Sequence, residues 1–235
     1  MADPRFIDIR GLHMHYVDGE GNDLHILRGV DLAVARGETV SIMGASGAGK
    51  STLLHLVGAL DQPAAGSIRI DGADLARMDA DAVARFRNGT IGFVFQFHHL
   101  LMDFNALENV MMPMWIRAGR TLPLHGRARE LLAEVGLAAR ASHKPAQLSG
   151  GEQQRLAIAR AIANDPKILL ADEPTGNLDQ RTGGQVGDLL LRLNAERNLT
   201  LILVTHNPDF AARMNRRYEL ADGRLHSHPT SPRHA

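Results

Sequence analysis

The chain has 235 residues, 44% hydrophobic and 22% charged, the balance of a globular protein with one sizeable domain or a domain carrying a sub-domain. Basic and acidic residues number 26 each, so no overall field favours nucleic acid or anionic lipid. The absence of cysteine excludes disulfides, thiolate catalysis and thiolate metal sites.

No stretch approaches the roughly 18 apolar residues that span a bilayer. The opening MADPRFIDIR carries acids and no apolar run of the signal-peptide kind. The expectation is a cytoplasmic protein whose membrane role, if any, comes through partners.

Residues 6–13 (FIDIRGLH) and 25–34 (HILRGVDLAV) alternate as half-buried strands do, with the turn-rich VDGEGND between them. ETVSIMG is a short apolar strand that ends in a glycine loop, and STLLHLVGAL after it has a helical pattern. SIRIDG predicts a strand and turn, ADLARMDADAVARFRNG a helix, and IGFVF another strand. From residue 97 to about 163 the texture is helical, with helices over NALENVMMPMWIRAG and LHGRARELLAEVGL. KILLADE and LTLILVTH are wholly apolar strands of the parallel-sheet kind, joined by a crossover helix in DQRTGGQVGDLLLRLNAE. YELADGRLH predicts a terminal hairpin, and residues 226–235 a disordered tail. The fold class is α/β: a mixed β core over 1–225 with a helical sub-domain inserted at roughly 97–163.

GASGAGKS at 44–51 matches the phosphate-loop pattern G-x-x-x-x-G-K-[ST] in full, after a strand and before a helix. Gly44, Gly47 and Gly49 allow the turns that bring backbone N–H groups of this loop, Ala45, Ser46 and Ala48 included, against phosphate. The helix N-terminus adds partial positive charge. Lys50, one of three lysines, would reach the β/γ-phosphates, Ser51 would ligate Mg²⁺, and Thr52 is a further phosphate contact. The metal needs a carboxylate at the end of a second apolar strand, and Asp172 in ILLADE supplies it. Glu173 beside it faces either the attacking water or nothing more than solvent. In LSGGEQQR at 148–155, Ser149, Gly150 and Gly151 open a helix and form a second anion site. One nucleotide has no obvious need of both, unless two copies sandwich ATP head to tail.

This set of motifs resembles the ATP-binding-cassette family over nearly the whole chain, which implies a P-loop nucleotide-binding domain that hydrolyses ATP with Mg²⁺. The resemblance implies roles residue by residue. Tyr16 matches the aromatic that stacks on adenine, with His13 and His15 as rivals. Gln96 matches the glutamine that contacts Mg²⁺ and the attacking water. Glu173 matches the general base, and His206 the histidine that binds the γ-phosphate. Ser149 and Gly151 match γ-phosphate donors across the dimer. Asn177, Leu178 and Asp179 match the loop that touches the opposite subunit.

FHHLLMDFNALENV, directly after Gln96, is rich in large apolar side chains. In the family this segment receives a short helix from a membrane subunit, and Phe97, Leu100, Leu101, Met102 and Phe104 offer area for one. Met111, Met112, Met114 and Trp115 extend the same character. His98 and His99 are adjacent and point in different directions, which suits a polar rim better than a metal pair. QFHHLLMDFNALENV, STLLHLVGALD and ADEPTGNLD are similar to cassettes of bacterial lipoprotein-releasing transporters. The latter two are shared with macrolide-type exporters and the cell-division cassette. The resemblance implies a homodimer on two integral-membrane permease subunits at the cytoplasmic face of the inner membrane. The alternatives are a macrolide or peptide exporter, a cell-division complex, or a soluble cassette acting on nucleic acid. Balanced charge and the lack of a long Lys/Arg run oppose the last of these.

Overall fold

A computed structural model describes residues 5–17, 19, 21–118 and 124–228 of the protein. In chain order the elements are β1 (Ile7–Val17), β2 (Asp23–Val34), β3 (Thr39–Met43), α1 (Lys50–Val57), β4 (Ala65–Ile70), β5 (Ala73–Asp74) and α2 (Ala80–Thr90). There follow β6 (Ile91–Val94), α3 (Ala106–Ala118), α4 (His125–Glu134), α5 (Gly150–Ala161), β7 (Ile168–Asp172) and α6 (Gln180–Arg197). The last described elements are β8 (Thr200–Val204), α7 (Pro208–Ala211), β9 (Arg216–Ala221) and β10 (Arg224–His228). It divides into two compact units: residues up to Val83 together with Thr200 onward, and Ala84–Leu199.

The first unit holds an antiparallel sheet of order β2-β1-β4-β5. Its second layer places β3 parallel to both β8 and β9, with β10 antiparallel on β9. All five residues of β8 are buried, as are the first four of β3, as expected of apolar runs in parallel sheets. β1 is irregular: its register against β2 shifts between Ile9 and Leu12. Gly11 there has φ +50, and a Cβ on the facing Gly66 would sit 2.4 Å from the Gly11 carbonyl oxygen. Only glycine permits that approach.

The second unit pairs β6 with β7 in parallel and packs α3, α4 and α5 into one helical cluster, with α6 against α5. Val110, Met111, Leu131, Leu132, Leu156 and Ile158 are all at most 2% exposed and form its core. Pro113 interrupts the hydrogen-bond ladder of α3. Its carbonyl accepts from Asn88 and Asn164, so the segments flanking β6 and β7 are tied to α3.

Three predicted elements differ. Residues 73–77 form β5 and a single 3₁₀ turn, not the start of a helix, because Asp74 caps that turn at Ala76 and Asp79 caps α2 separately through Ala82. α7 was not expected; Asn207 caps it by accepting from the Asp209 and Phe210 amides. β10 takes in His226–His228, which pair with Glu219, Tyr218 and Arg217 although the sequence reading assigns them to the tail. The rest of that expected tail, 229–235, lies outside the described residues.

Candidate functional site

The phosphate loop bridges β3 and α1 in the first unit. Gly44, Gly47 and Gly49 have φ of +149, +78 and +95. A Cβ at Gly44 would meet the Leu220 carbonyl oxygen at 2.4 Å, and one at Gly49 would meet Ile26 Cγ2 at 2.7 Å. Both positions are therefore closed to larger residues by packing as well as by torsion. Gly49 is the α1 N-cap and offers no side chain, so the helix N-terminus is left to an outside acceptor. Lys50 Nζ donates to the Gly44 and Ala45 carbonyls at 2.9 and 2.8 Å, which holds its ammonium over the loop. Ala45, Ser46 and Gly47 are exposed at the tip, Ala48 is half-buried, Ser51 is exposed and Thr52 is half-buried.

Two more expected residues lie in this unit. Tyr16, 43% exposed, donates its hydroxyl to Asp61 Oδ2 at 3.2 Å. Burial of the hydroxyl, then the bond to Asp61 and its negative charge, push the phenol above its ordinary value, against an opposing hydrogen bond with Thr52. That contact brings Tyr16 to the first turns of α1. His13 and His15 are exposed on the same strand, and His15 is tilted against His25 with ring centroids 5.6 Å apart. His206 is exposed just past β8, between buried Thr205 and the α7 cap.

In the second unit Asp172 ends β7, half-buried, and Glu173 follows with φ +46. A non-glycine residue in the left-handed region is uncommon, and such strain gathers at functional sites. The Glu173 carbonyl accepts from Gly176, which starts the turn carrying Asn177 and Asp179. That turn is clasped to Gln96: Gln96 Nε2 donates to Asn177 Oδ1 at 3.0 Å, and Asn177 Nδ2 donates to the Gln96 carbonyl at 3.2 Å. The bond uses the donor end of the Gln96 amide and leaves its oxygen, the end a cation needs. The Ser51 hydroxyl in the first unit, and the Gln96 amide and Asp172 carboxylate in the second, are each hard oxygen donors of the kind Mg²⁺ takes.

Ser149 caps α5. Its backbone N–H and hydroxyl donate to Glu152 Oε2 at 2.8 and 3.0 Å, and its Oγ accepts from the Glu152 amide, a reciprocal capping box. Arg140 Nε donates to Glu152 Oε1 at 2.9 Å. The Ser149 amide, then Arg140, hold the Glu152 carboxyl down to about 2. Gly150, Gly151, Arg155, Asn177 and Asp179 border the cleft of about 400 Å³ that opens beside Ser149. Asp179 caps α6 by accepting from Thr182, whose side-chain and backbone hydrogen bonds lower its carboxyl. The N-termini of α5 and α6 thus border one cleft; the Asp179 carboxylate already caps α6, while Gly150 and Gly151 at the start of α5, with Arg155 beside them, favour an anion there. A Cβ on Gly151 would lie 2.4 Å from Thr182 Cγ2.

The apolar segment after Gln96 is less uniform than its sequence suggests. Phe97 and Met102 are 71% and 57% exposed, whereas Leu100, Leu101 and Phe104 are half-buried. Ile116 on α3 is 70% exposed. Met111 and Met114 do not extend the surface: both are buried, because the i, i+3 spacing turns them to the inner face of α3. Asn109, fully buried, donates to the carbonyls of Leu101, Phe104 and Asn105 and accepts from the Leu101 amide. Arg160 on α5 donates to the carbonyls of His98 and His99. Asn109, Arg140, Glu152 and Arg160 had no assigned part in the sequence reading. A lone Asn in ALENVMM and a lone Arg in AIARAIA were the available signals.

Comparison with known proteins follows the same lines. The family model described as ABC transporter matches residues 27–176. The lipoprotein-releasing system ATP-binding protein LolD of Geobacter metallireducens is 53% identical over 219 residues, 93% of this chain and 97% of that protein. The macrolide export ATP-binding/permease protein MacB 1/2 of Paracoccus denitrificans is 49% identical over 93% of this chain, which spans 32% of that longer protein. Among solved structures, the dimeric bacterial ABC transporter cassette MJ0796 superposes with a TM-score of 0.88 at 41% identity, covering 96% of this chain and 99% of that one.

Proposed function

The chain belongs to the ABC transporter family and is an ATPase of that family, and from this premise we propose that it drives release of lipoproteins from a bacterial inner membrane. The observation that carries this reading is the likeness, over half identical and nearly end to end, to a lipoprotein-releasing ATP-binding protein. On this reading the chain acts as a homodimer at the cytoplasmic face and reaches the membrane through two permease subunits. The described residues contain no helix long and apolar enough to cross a membrane. Phe97 and Met102, the exposed apolar residues between Gln96 and α3, support docking there, with half-buried Leu100, Leu101 and Phe104 beside them. The macrolide exporter is the second reading, supported by a relative nearly as similar over this chain's length.

Roles follow from the chemistry of each residue. Backbone N–H groups of residues 44–52 and the Lys50 ammonium bind the ATP phosphates. Tyr16 stacks on the adenine. Bound Mg²⁺ would be held by Ser51, Asp172 and Gln96 and would neutralise charge on the phosphates. Glu173 orients the attacking water and accepts its proton. His206 donates to the γ-phosphate. Ser149, Gly150 and Gly151 serve the nucleotide of the second copy, whose approach Asp179 helps to shape. Phosphoryl transfer is mostly positioning and charge stabilisation, so hydrolysis depends on dimer closure.

Affinity purification of the full chain from its native membranes tests the reading. Co-purification of lipoprotein-releasing membrane subunits is the expected result. Recovery of a macrolide permease would favour the second reading, and recovery of nucleic-acid-processing partners would overturn both.

A further inference from the structure

The seven residues from Phe95 to Leu101 leave β6 and do not enter another strand or helix. Their backbone is held largely by side chains from elsewhere in the same unit. Gln154 donates to the Phe95 carbonyl at 3.4 Å and Asn177 to the Gln96 carbonyl at 3.2 Å. Arg160 donates from its two terminal nitrogens to the His98 and His99 carbonyls at 2.7 and 2.6 Å, and Asn109 takes the Leu101 carbonyl at 3.1 Å. Between these anchors His98 and His99 occupy left-handed backbone, at φ +25 and +46. Two successive non-glycine residues there are costly unless the surroundings hold them. The His99 ring stands edge-on to Phe95, centroids 4.9 Å apart.

Arg160 is unusual in its own right. It is half-buried, and among the described residues it forms no ion pair with a carboxylate. A desolvated cation without a counter-ion is destabilising. What offsets that is the rigid fork of the guanidinium, whose two terminal nitrogens donate to the successive carbonyls of the left-handed His98 and His99. A lysine ammonium has donors but not that planar two-nitrogen fork, so its hold on the pair is looser.

We propose that Arg160 is a positioning residue for hydrolysis: it locks the left-handed turn at His98–His99 onto the last turn of α5 and so fixes Gln96 at one end of the turn and the exposed apolar residues at the other. Ser149 caps the opposite end of the same helix, about 16 Å away at 1.5 Å per residue. A push on Phe97 or Met102 therefore reaches Ser149 through one rigid element. The effect on turnover rests on the reading of Gln96 and Glu173 given above; the lock itself does not.

The test compares wild-type protein with Arg160→Met, which keeps the stem and removes both donors, and with Arg160→Met combined with His98→Gly and His99→Gly. Glycine takes left-handed torsions freely, so it substitutes for the lock but not for packing by the arginine stem. Expected for Arg160→Met are amide exchange about tenfold faster at 97–101, unchanged exchange in β7 and α1, and kcat lowered about tenfold with the KM for ATP within about twofold. The triple variant is expected to regain at least half of both losses. Unchanged exchange, loosening spread over α3 and α4, or no recovery with glycine would overturn the inference. Should Arg160→Met fail to fold, Arg160→Lys serves, with the same kcat-against-KM split at smaller size. Glu173→Gln, run alongside, separates the two claims. If it hydrolyses ATP like wild type, the catalytic reading fails and the exchange data alone decide on the lock.

Discussion

Asn109→Asp changes almost no volume and tests how the segment after Gln96 is held. The amide nitrogen of Asn109 faces three carbonyls, Leu101 at 3.1 Å and Phe104 and Asn105 at 3.0 Å each, while its oxygen accepts from the Leu101 amide at 2.9 Å. Two N–H groups serve three acceptors, so one hydrogen is shared. Aspartate keeps the acceptor and turns a second oxygen toward the carbonyls. Each lost hydrogen bond costs about 1 kcal/mol net, and a buried carbonyl left without a donor about 1–3 kcal/mol more. The site is fully buried, so the sum is on the order of 3–5 kcal/mol at neutral pH. The introduced carboxyl is raised in the folded state, since only its protonated form can donate to a carbonyl. A group raised on folding favours the native state below its unfolded value, about 3.9, and that support is lost as pH rises through the folded value. The deficit against wild type is therefore larger at pH 7.5 than at pH 4.5. Urea unfolding without nucleotide measures both, with Asn109→Leu as the comparison that removes the bonds but adds no repulsion. A cost below about 1 kcal/mol at pH 7.5, or Asp no worse than Leu, refutes the reasoning.

Glu152→Ala is expected to cost about 1–2 kcal/mol at neutral pH, a range already reduced for partial solvent screening. Its carboxyl lies near 2 in the folded state, so that contribution is present above the ordinary value of 4.5 and is lost as pH falls toward 2. A difference from wild type that stays constant across an acid titration of stability would refute the assignment. Phe97→Asp, at a site 71% exposed, should abolish membrane association with stability within about 0.5 kcal/mol of wild type, whereas Leu101→Asp should also destabilise. Equal stability losses in the two would mean that Phe97 is packed. Glu173→Gln is expected to bind ATP and lose nearly all turnover, and wild-type turnover would reject Glu173 as the base. Lys50→Ala and Ser149→Ala, each inactive alone, should regain some ATPase activity when mixed, and no recovery at any ratio counts against the head-to-tail dimer.

The strand–loop–helix setting of GASGAGKS, the place of Asp172 and Glu173 at the end of β7 and the helix start in LSGGEQQR were legible because each stretch is contiguous and its physics is local. Gly44 and Gly49 need torsions and clearances that a glycine in a strand–loop–helix context already announces. Most elements followed from periodicity, and the failures came where side-chain caps decided the matter, as at Asp74 and Asn207. What stayed hidden was the support. Arg160 meets carbonyls 61 and 62 residues away, and Gln96 meets an asparagine 81 residues away. Backbone carbonyls carry no residue identity, so no motif records such a bond. Met111 and Met114 were misjudged for a related reason: composition shows an apolar helix but not which of its faces the neighbours cover.

The left-handed backbone at Glu173 bears on any effort to engineer this chain. Asparagine or glycine would occupy that torsion at less cost, by roughly 1 kcal/mol. A library screened for heat resistance alone would thus be drawn to position 173 and would enrich for sequences without the carboxylate. Thermostability would rise as the proposed base disappeared, so selection here has to score turnover together with melting.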